Sequence, residues 1–357
     1  YRMGEYNVNK ENIKGIIFCF LMAIPAWFLG KLMPIIGGPV FSILIGILVA
    51  SLLKDGKKSL QPGINFVSKK VLQYAVILLG FGLNLQMIIR VGKISIPIII
   101  STIATSLIVS YILCRALNIP RKISILVGVG SSICGGSAIA ATAPVVDADS
   151  DEIAQAISVI FFFNIIAALI FPILGDILGL SNSGFAVFAG TAINDTSSVT
   201  AAASSWDSIH KTGSAVLDSA TIVKLTRTLA IIPITFCLSL YETKKSGVQE
   251  GKKINFLAML PRFILYFILC SIITSLFDLF IGKGIISGGS ASMVTGFFAL
   301  MKKVSKFFIV MAMGAIGLNT NIVKLIKTGG KPLLLGASCW ISIILVSLAM
   351  QVVTDLL

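Results

Sequence analysis

The chain has 357 residues, of which 56% are hydrophobic and only 12% charged, and its mean hydropathy is +0.98. That is half the roughly 25% charge of soluble domains, too little polar surface to cover so apolar a chain. A soluble enzyme and a disordered protein are thereby excluded, and a multi-pass membrane protein remains. The net charge of +14 falls in short loops between apolar runs, where it reports membrane orientation rather than nucleic-acid binding.

In chain order the apolar runs cover residues 15–30, 35–53, 71–89, 94–113, 123–146, 153–174, 184–203, 215–239, 255–280, 285–300, 304–323 and 333–353. At about 20 residues per crossing, the length predicts about eleven transmembrane helices and an all-α polytopic membrane protein. The first run has no small-residue cleavage site after it and is read as a span, not a signal peptide. Run 285–300 is short and holds Ser287, Gly288, Gly289 and Ser290, the pattern of a half-span or broken helix. With a cytoplasmic N-terminus, fifteen Lys and Arg fall inside through the first eight runs, against Lys31, Arg90, Lys93 and Lys211 outside. That asymmetry predicts a cytoplasmic N-terminus. Past residue 280 the basic residues fall on both sides.

Two internal repeats stand out. Gly82-Leu83-Asn84 recurs as Gly317-Leu318-Asn319, each followed by a proline, Pro97 and Pro332. This pairs residues 73–110 with 308–345. The string from Gly130 to Ala143 aligns without gaps on Gly190 to Ala203, with five identities: Gly130/Gly190, Ile133/Ile193, Ser137/Ser197, Ala141/Ala201 and Ala143/Ala203. Composition alone gives roughly one or two. This pairs 130–172 with 190–233. Paired units of this kind suit an inverted-repeat transporter with two interrupted helices, in a single domain over 1–357. Counting twelve runs makes both pairs parallel, so an inversion needs one run that does not cross.

The candidate site is read from polar residues at mid-span. Six of the seven residues from Asn194 to Thr200 are polar, Asp195 among them. Either a helix is interrupted there at a cavity, or the segment is a loop outside the membrane. In the partner segment Ser132, Cys134, Gly135, Gly136 and Ser137 are small; they serve either close helix packing or a helix start that aims N–H groups at an anion. Lys224 and Arg227 share one helix face. They provide either an anion site or salt bridges to Asp195, with Asp218 as a second carboxylate. Asn194, Asp195, Thr196, Ser197 and Ser198 complete the candidate substrate-binding set, with Asp195 also carrying a coupling H+ or Na+. Asn84 and Asn319 are read mainly as packing or helix-end amides. Ser150 or Asp151 is expected to cap the helix after the acidic run 147–152, and His210 to lie in a surface loop beside Trp206 and Asp207. One histidine and six scattered cysteines predict no metal site, no disulfide framework and no cofactor. No phosphate-binding G-x-x-x-x-G-K-[ST] loop occurs, so coupling is to an ion gradient or absent. A membrane enzyme and a channel are the other classes considered; an enzyme is disfavoured by the lack of clustered His, Asp or Glu.

At these residues the chain resembles the YeiH-type sulfate exporter family of bacterial inner-membrane proteins. The likeness rests on Gly-Ser-Ser-Ile-Cys-Gly-Gly-Ser-Ala-Ile at 130–139, Ala143-Pro144-Val145 with acidic residues after it, and Gly190-Thr-x-x-x-Asp195-Thr-Ser-Ser-Val199. It implies an exporter of sulfate, sulfite or a related sulfur oxyanion or sulfonate. It also implies distant kinship with inverted-repeat sodium/proton antiporters, so a cation antiporter using the Asn194-Asp195 pair is the alternative. The expected partners are a small anion, the coupling ion and the bilayer; dimerisation is left open.

Overall fold

The computed structural model describes residues 10–33, 38–53, 57–83, 85–246, 262–283, 285, 288–320 and 330–356. Every regular element among the described residues is helical. In chain order they are α1 (Lys10–Leu32), α2 (Gly38–Leu52), α3 (Lys57–Phe66), α4 (Leu72–Leu79), α5 (Leu85–Ala116), α6 (Arg121–Ser132) and α7 (Gly136–Thr142). There follow α8 (Ser150–Ile177), α9 (Asn182–Ala192), α10 (Thr196–His210), α11 (Ala215–Thr228), α12 (Ile231–Ser246), α13 (Arg262–Gly282), α14 (Gly289–Asn319) and α15 (Gly330–Val353). A π turn at Val67–Val71 joins α3 to α4, and a 3-10 turn at Gly80–Gly82 closes α4. Seven helical stretches among these residues are long and apolar enough to cross a membrane, and α2 is a shorter apolar helix.

Two expectations are corrected here. Run 285–300 is not a broken half-span: it joins run 304–323 in the single 31-residue α14. Lys302 and Lys303 divide the two runs in sequence, yet an apolar helix tolerates mid-helix lysines whose ammonium groups find acceptors inside the protein. Lys302 does so through Asp218 at 2.6 Å and Lys306 through the Gly213 carbonyl at 2.5 Å. The second correction concerns His210, which ends α10 rather than lying in a loop. It is exposed and stacks on the buried Trp206 at 4.0 Å between ring centroids.

The chain divides into two compact units, each built from separate stretches. The first holds residues 1–88, 200–218 and 263–321. Its apolar core gathers Cys19, Met22 and Ala26 of α1, Ile64 and Phe66 of α3, and Val310, Met311 and Leu318 of α14. Asn319 ends α14 in an amide cluster, accepting from Gln61 Nε2 at 2.7 Å and donating to Asn65 Oδ1 at 3.1 Å. These bonds run from side chain to side chain and so belong to helix packing, whereas Asn84 lies outside the described residues. The glycines of the repeated Gly-Leu-Asn motif do different work. Gly82 leaves room for the side chain of Lys302, whose Nζ lies 2.7 Å from where a Cβ would stand; Gly317 packs against Gly46 of α2.

The second unit holds residues 89–199, 219–262 and 322–357. One of its apolar cores joins Ile123, Leu126 and Val127 of α6, Ile139 of α7, Val159, Ile160 and Phe163 of α8, and Leu335 and Cys339 of α15. The cap of α8 is Asp149, not Ser150 or Asp151: its carboxylate accepts from the Asp151 and Glu152 N–H groups at 2.9 and 2.8 Å, and Glu152 answers with a bond to Asp149 N. Removing this reciprocal cap by Asp149→Ala is expected to cost about 1 kcal/mol, read as a small loss of thermal stability in detergent. A larger effect is expected at Gly190, because a Cβ there would stand 2.6 Å from Val223 of α11 and 3.0 Å from the Ala220 carbonyl. Gly190→Ala should therefore force α9 and α11 apart at about 1–3 kcal/mol, while Gly179→Ala, which meets nothing within 4 Å but sits at positive φ, serves as the control for backbone strain alone.

Candidate functional site

Both segments singled out in the sequence interrupt a helix, and both lie in the second unit. Between α6 and α7 the chain turns at Ile133 (φ −122°, ψ −88°) and Gly135 (φ +69°, ψ −124°). The second pair of angles is one that only glycine adopts readily. Between α9 and α10 it extends at Ile193 (φ −93°, ψ 134°) before α10 starts at Thr196. Each interruption strands carbonyl groups at the end of the preceding helix, and no lipid can satisfy them.

Lys224 and Arg227 of α11 fill that need. Both are fully buried, at 0% exposure. Lys224 Nζ donates to the carbonyls of Ile133 at 2.7 Å and Ile193 at 2.9 Å. Arg227 donates through Nη2 to Ser131 at 2.6 Å, through Nε to Ser132 at 2.8 Å, and through Nη1 to Thr191. One helix thus ties together the carbonyl ends of α6 and α9, which are also the negative ends of their dipoles. The expected salt bridges from these cations to Asp195 and Asp218 are therefore corrected. Their hydrogen bonds go to backbone carbonyls, and Asp218 pairs with Lys302 in the first unit.

Asp195 is half-buried at the head of α10, where its carboxylate accepts from the Ser197 N–H at 3.0 Å and from Ser197 Oγ. It caps the helix it precedes. Behind it stands Asn164, on α8, which sequence reasoning passed over. Asn164 Oδ1 accepts from the N–H groups of both Asn194 and Asp195 at 3.2 Å. This fixes the orientation of the amide. Its Nδ2 then points toward Gly135, where an added Cβ would stand 3.7 Å away. An amide within the apolar stretch 159–175 of that helix was the available signal.

The two interruptions meet around Gly135: its missing Cβ would lie 3.8 Å from the Cβ of Asp195 and 3.2 Å from Ile160. Polar atoms there lack partners although they are buried: Asn164 Nδ2, both amide atoms of Asn194, and Ser131 Oγ. Asn194 is 1% exposed and Asn164 2%. An unmet buried polar group costs about 1–3 kcal/mol, so four such atoms on the two interrupted segments and the residue that braces them mark a region suited to something polar. Of the other candidates, Ser132, Cys134, Ser197 and Ser198 are buried, Gly136 and Thr196 half-buried and Ser137 exposed. Ser132 Oγ bonds back to the Val129 carbonyl at 3.0 Å. Among the described residues no group of three or more His, Cys, Asp or Glu is placed to hold a metal ion.

These features define a multi-pass helical membrane protein whose buried polar centre is made of two helix interruptions clamped by one cationic helix. The chain belongs to the family described as conserved hypothetical protein 698, whose model matches residues 14–336. It is 65% identical to the UPF0324 membrane protein FN0533 of Fusobacterium nucleatum over 96% of this chain and 98% of that protein. It is 58% identical to a UPF0324 membrane protein of Streptococcus mutans, over 96% and 97% respectively. The names describe membrane proteins and carry no substrate.

Proposed function

We propose that the protein is a secondary carrier that exports a small anion, sulfate, sulfite or a related sulfur oxyanion or sulfonate, through the centre at Gly135, Asn164, Asn194 and Asp195. The supporting observation is the charge and hydrogen-bond balance at that centre. Each helix terminus carries roughly half a charge, so the two carbonyl ends and the two amide ends cancel. Lys224 and Arg227 contribute two positive charges against the single negative charge of Asp195. One positive charge is left over beside unpartnered amide donors. That balances a monoanion such as hydrogen sulfite, or a dianion accompanied by one proton. The resemblance of the 130–139 and 190–199 strings to sulfate exporters points to the same ligand class.

In this reading α2, α14 and the two interrupted pairs cross alongside the seven long apolar stretches, giving about eleven passes with a cytoplasmic N-terminus in a bacterial cytoplasmic membrane. Because α14 is one helix, the pair 73–110 and 308–345 then runs in opposite directions, as an inversion requires, and the inner pair in the same direction. A second reading, a sodium/proton-type antiporter, is favoured by one fact: both cations are already satisfied by carbonyls, and Asp195 is the half-buried charge of the centre.

Thermal unfolding of the purified protein separates the two. Ligand at about a hundred times Kd adds about 2.7 kcal/mol to the native state. Stabilisation by sulfate or sulfite that disappears in Asn194→Ala supports the anion carrier. Stabilisation by sodium or lithium alone, lost in Asp195→Asn, establishes the antiporter instead.

A further inference from the structure

Three carboxylates, the half-buried Asp195 and the buried Asp207 and Asp218, lie on α10 and α11 or at their ends, and they differ in what their oxygens hold. Asp195 caps α10 through Ser197. Asp207 is fully engaged within the first unit: it accepts from Thr212 Oγ1 and from the N–H groups of Val216 at 3.1 Å and Leu217 at 3.0 Å, capping α11. Asp218, also in the first unit, is 4% exposed. Its Oδ2 pairs with Lys302 Nζ at 2.6 Å and receives a long bond from Ser214 Oγ at 3.4 Å. Its Oδ1 is buried and has no partner.

We propose that Asp218 and Lys302 form a proton-binding switch that couples the carrier to a proton gradient, a role distinct from the anion centre and resting on the carrier reading above. A proton from the aqueous side forms an O–H bond at the bare Oδ1. The Asp218–Lys302 ion pair then loses its charge attraction, and Lys302 keeps its own three protons. The surroundings make this a switch with two states. Lys306 lies one turn from Lys302 on the same side of α14, with its ammonium on the Gly213 carbonyl. With Asp218 neutral, two like charges four residues apart face one another with only the engaged Asp207 nearby, an unfavourable arrangement. Lys302, 23% exposed along its side chain against 5% for Asp218, has a route to water. Gly82 sets the geometry by leaving the space that the Lys302 stem occupies. Ionisable groups inside a membrane span are costly and are kept where they serve transport or pairing.

The test uses the full chain in liposomes, with two readouts. Infrared difference spectra between acid and alkaline buffer report a carboxyl group that takes up a proton. Labelled sulfate and sulfite are then followed both as exchange without a pH gradient and as accumulation driven by one. The expected result is that Asp218→Asn removes the carboxyl signal, which Asp195→Asn retains. It should also abolish gradient-driven accumulation down to the level of empty liposomes while leaving exchange intact. Lys302→Gln, which keeps the carboxyl group but removes its counter-ion, should move the infrared signal to more alkaline buffer and lose the drive; it serves if Asp218→Asn does not fold. A signal that survives Asp218→Asn, a drive unchanged in either variant, or loss of exchange together with drive overturns the proposal. If the wild type moves neither anion, the carrier reading fails, and the infrared arm alone decides whether Asp218 is a proton site.

Discussion

Arg227→Leu is expected to yield almost no monodisperse protein in detergent, and what survives should melt far below the wild type. The substitution strands the carbonyls of Ser131, Ser132 and Thr191, all of which now accept from one guanidinium. At about 1–3 kcal/mol for each unsatisfied group, the loss rivals the roughly 5–15 kcal/mol that holds a typical domain folded. Arg227→Lys should recover part of this and no more, because one ammonium cannot reproduce a planar fork aimed at two helix ends. Lys303→Leu, on the exposed face of α14, is the control and should melt as the wild type does. Size-exclusion profiles and thermal unfolding read the result. A variant with wild-type stability that has merely lost its response to sulfate or sulfite would make Arg227 a ligand group instead of a clamp.

Asn164→Leu should fold but lose both stability and ligand response. Two buried N–H groups, those of Asn194 and Asp195, lose their acceptor, at roughly 1–3 kcal/mol each. Part of that is offset because the unpartnered Nδ2 disappears with the amide. Asn164→Asp separates the two consequences. It keeps an oxygen for both N–H groups, so melting should return close to the wild type. It also places a second negative charge beside Asp195, so stabilisation by sulfate or sulfite should vanish. Should Asn164→Leu melt like the wild type, the N–H groups have found other acceptors and α8 does not support the interruption.

The two polar segments themselves were legible because they break the rules of an apolar run. Asn194, Asp195 and the Gly135-Gly136 pair are residues that a lipid-facing helix does not carry, and positive φ at Gly135 is the backbone reason for its glycine. Lys224 and Arg227 were legible as a pair on one face, but not as a clamp. A cation in sequence looks equally suited to a carboxylate, an anion or a carbonyl, and the carbonyls it meets are 31 to 96 residues away. Asn164 carried the weakest signal, since one amide in an apolar helix does not reveal which backbone it will face. The lysines of α14 misled for a related reason. They read as the edge of a span, because the acceptors that allow them inside, Asp218 and Gly213, lie 84 and 93 residues away.

By itself the sequence determined that this protein lives in a membrane, that it is helical, and that two small polar segments depart from its apolar runs, since these follow from local hydropathy; that both segments interrupt helices came from the structure. Only the tertiary structure decided which charges neutralise which groups. Burial in a low-dielectric interior makes every unmet carbonyl, amide and carboxylate expensive, and the partner that satisfies each one is set by how distant helices pack.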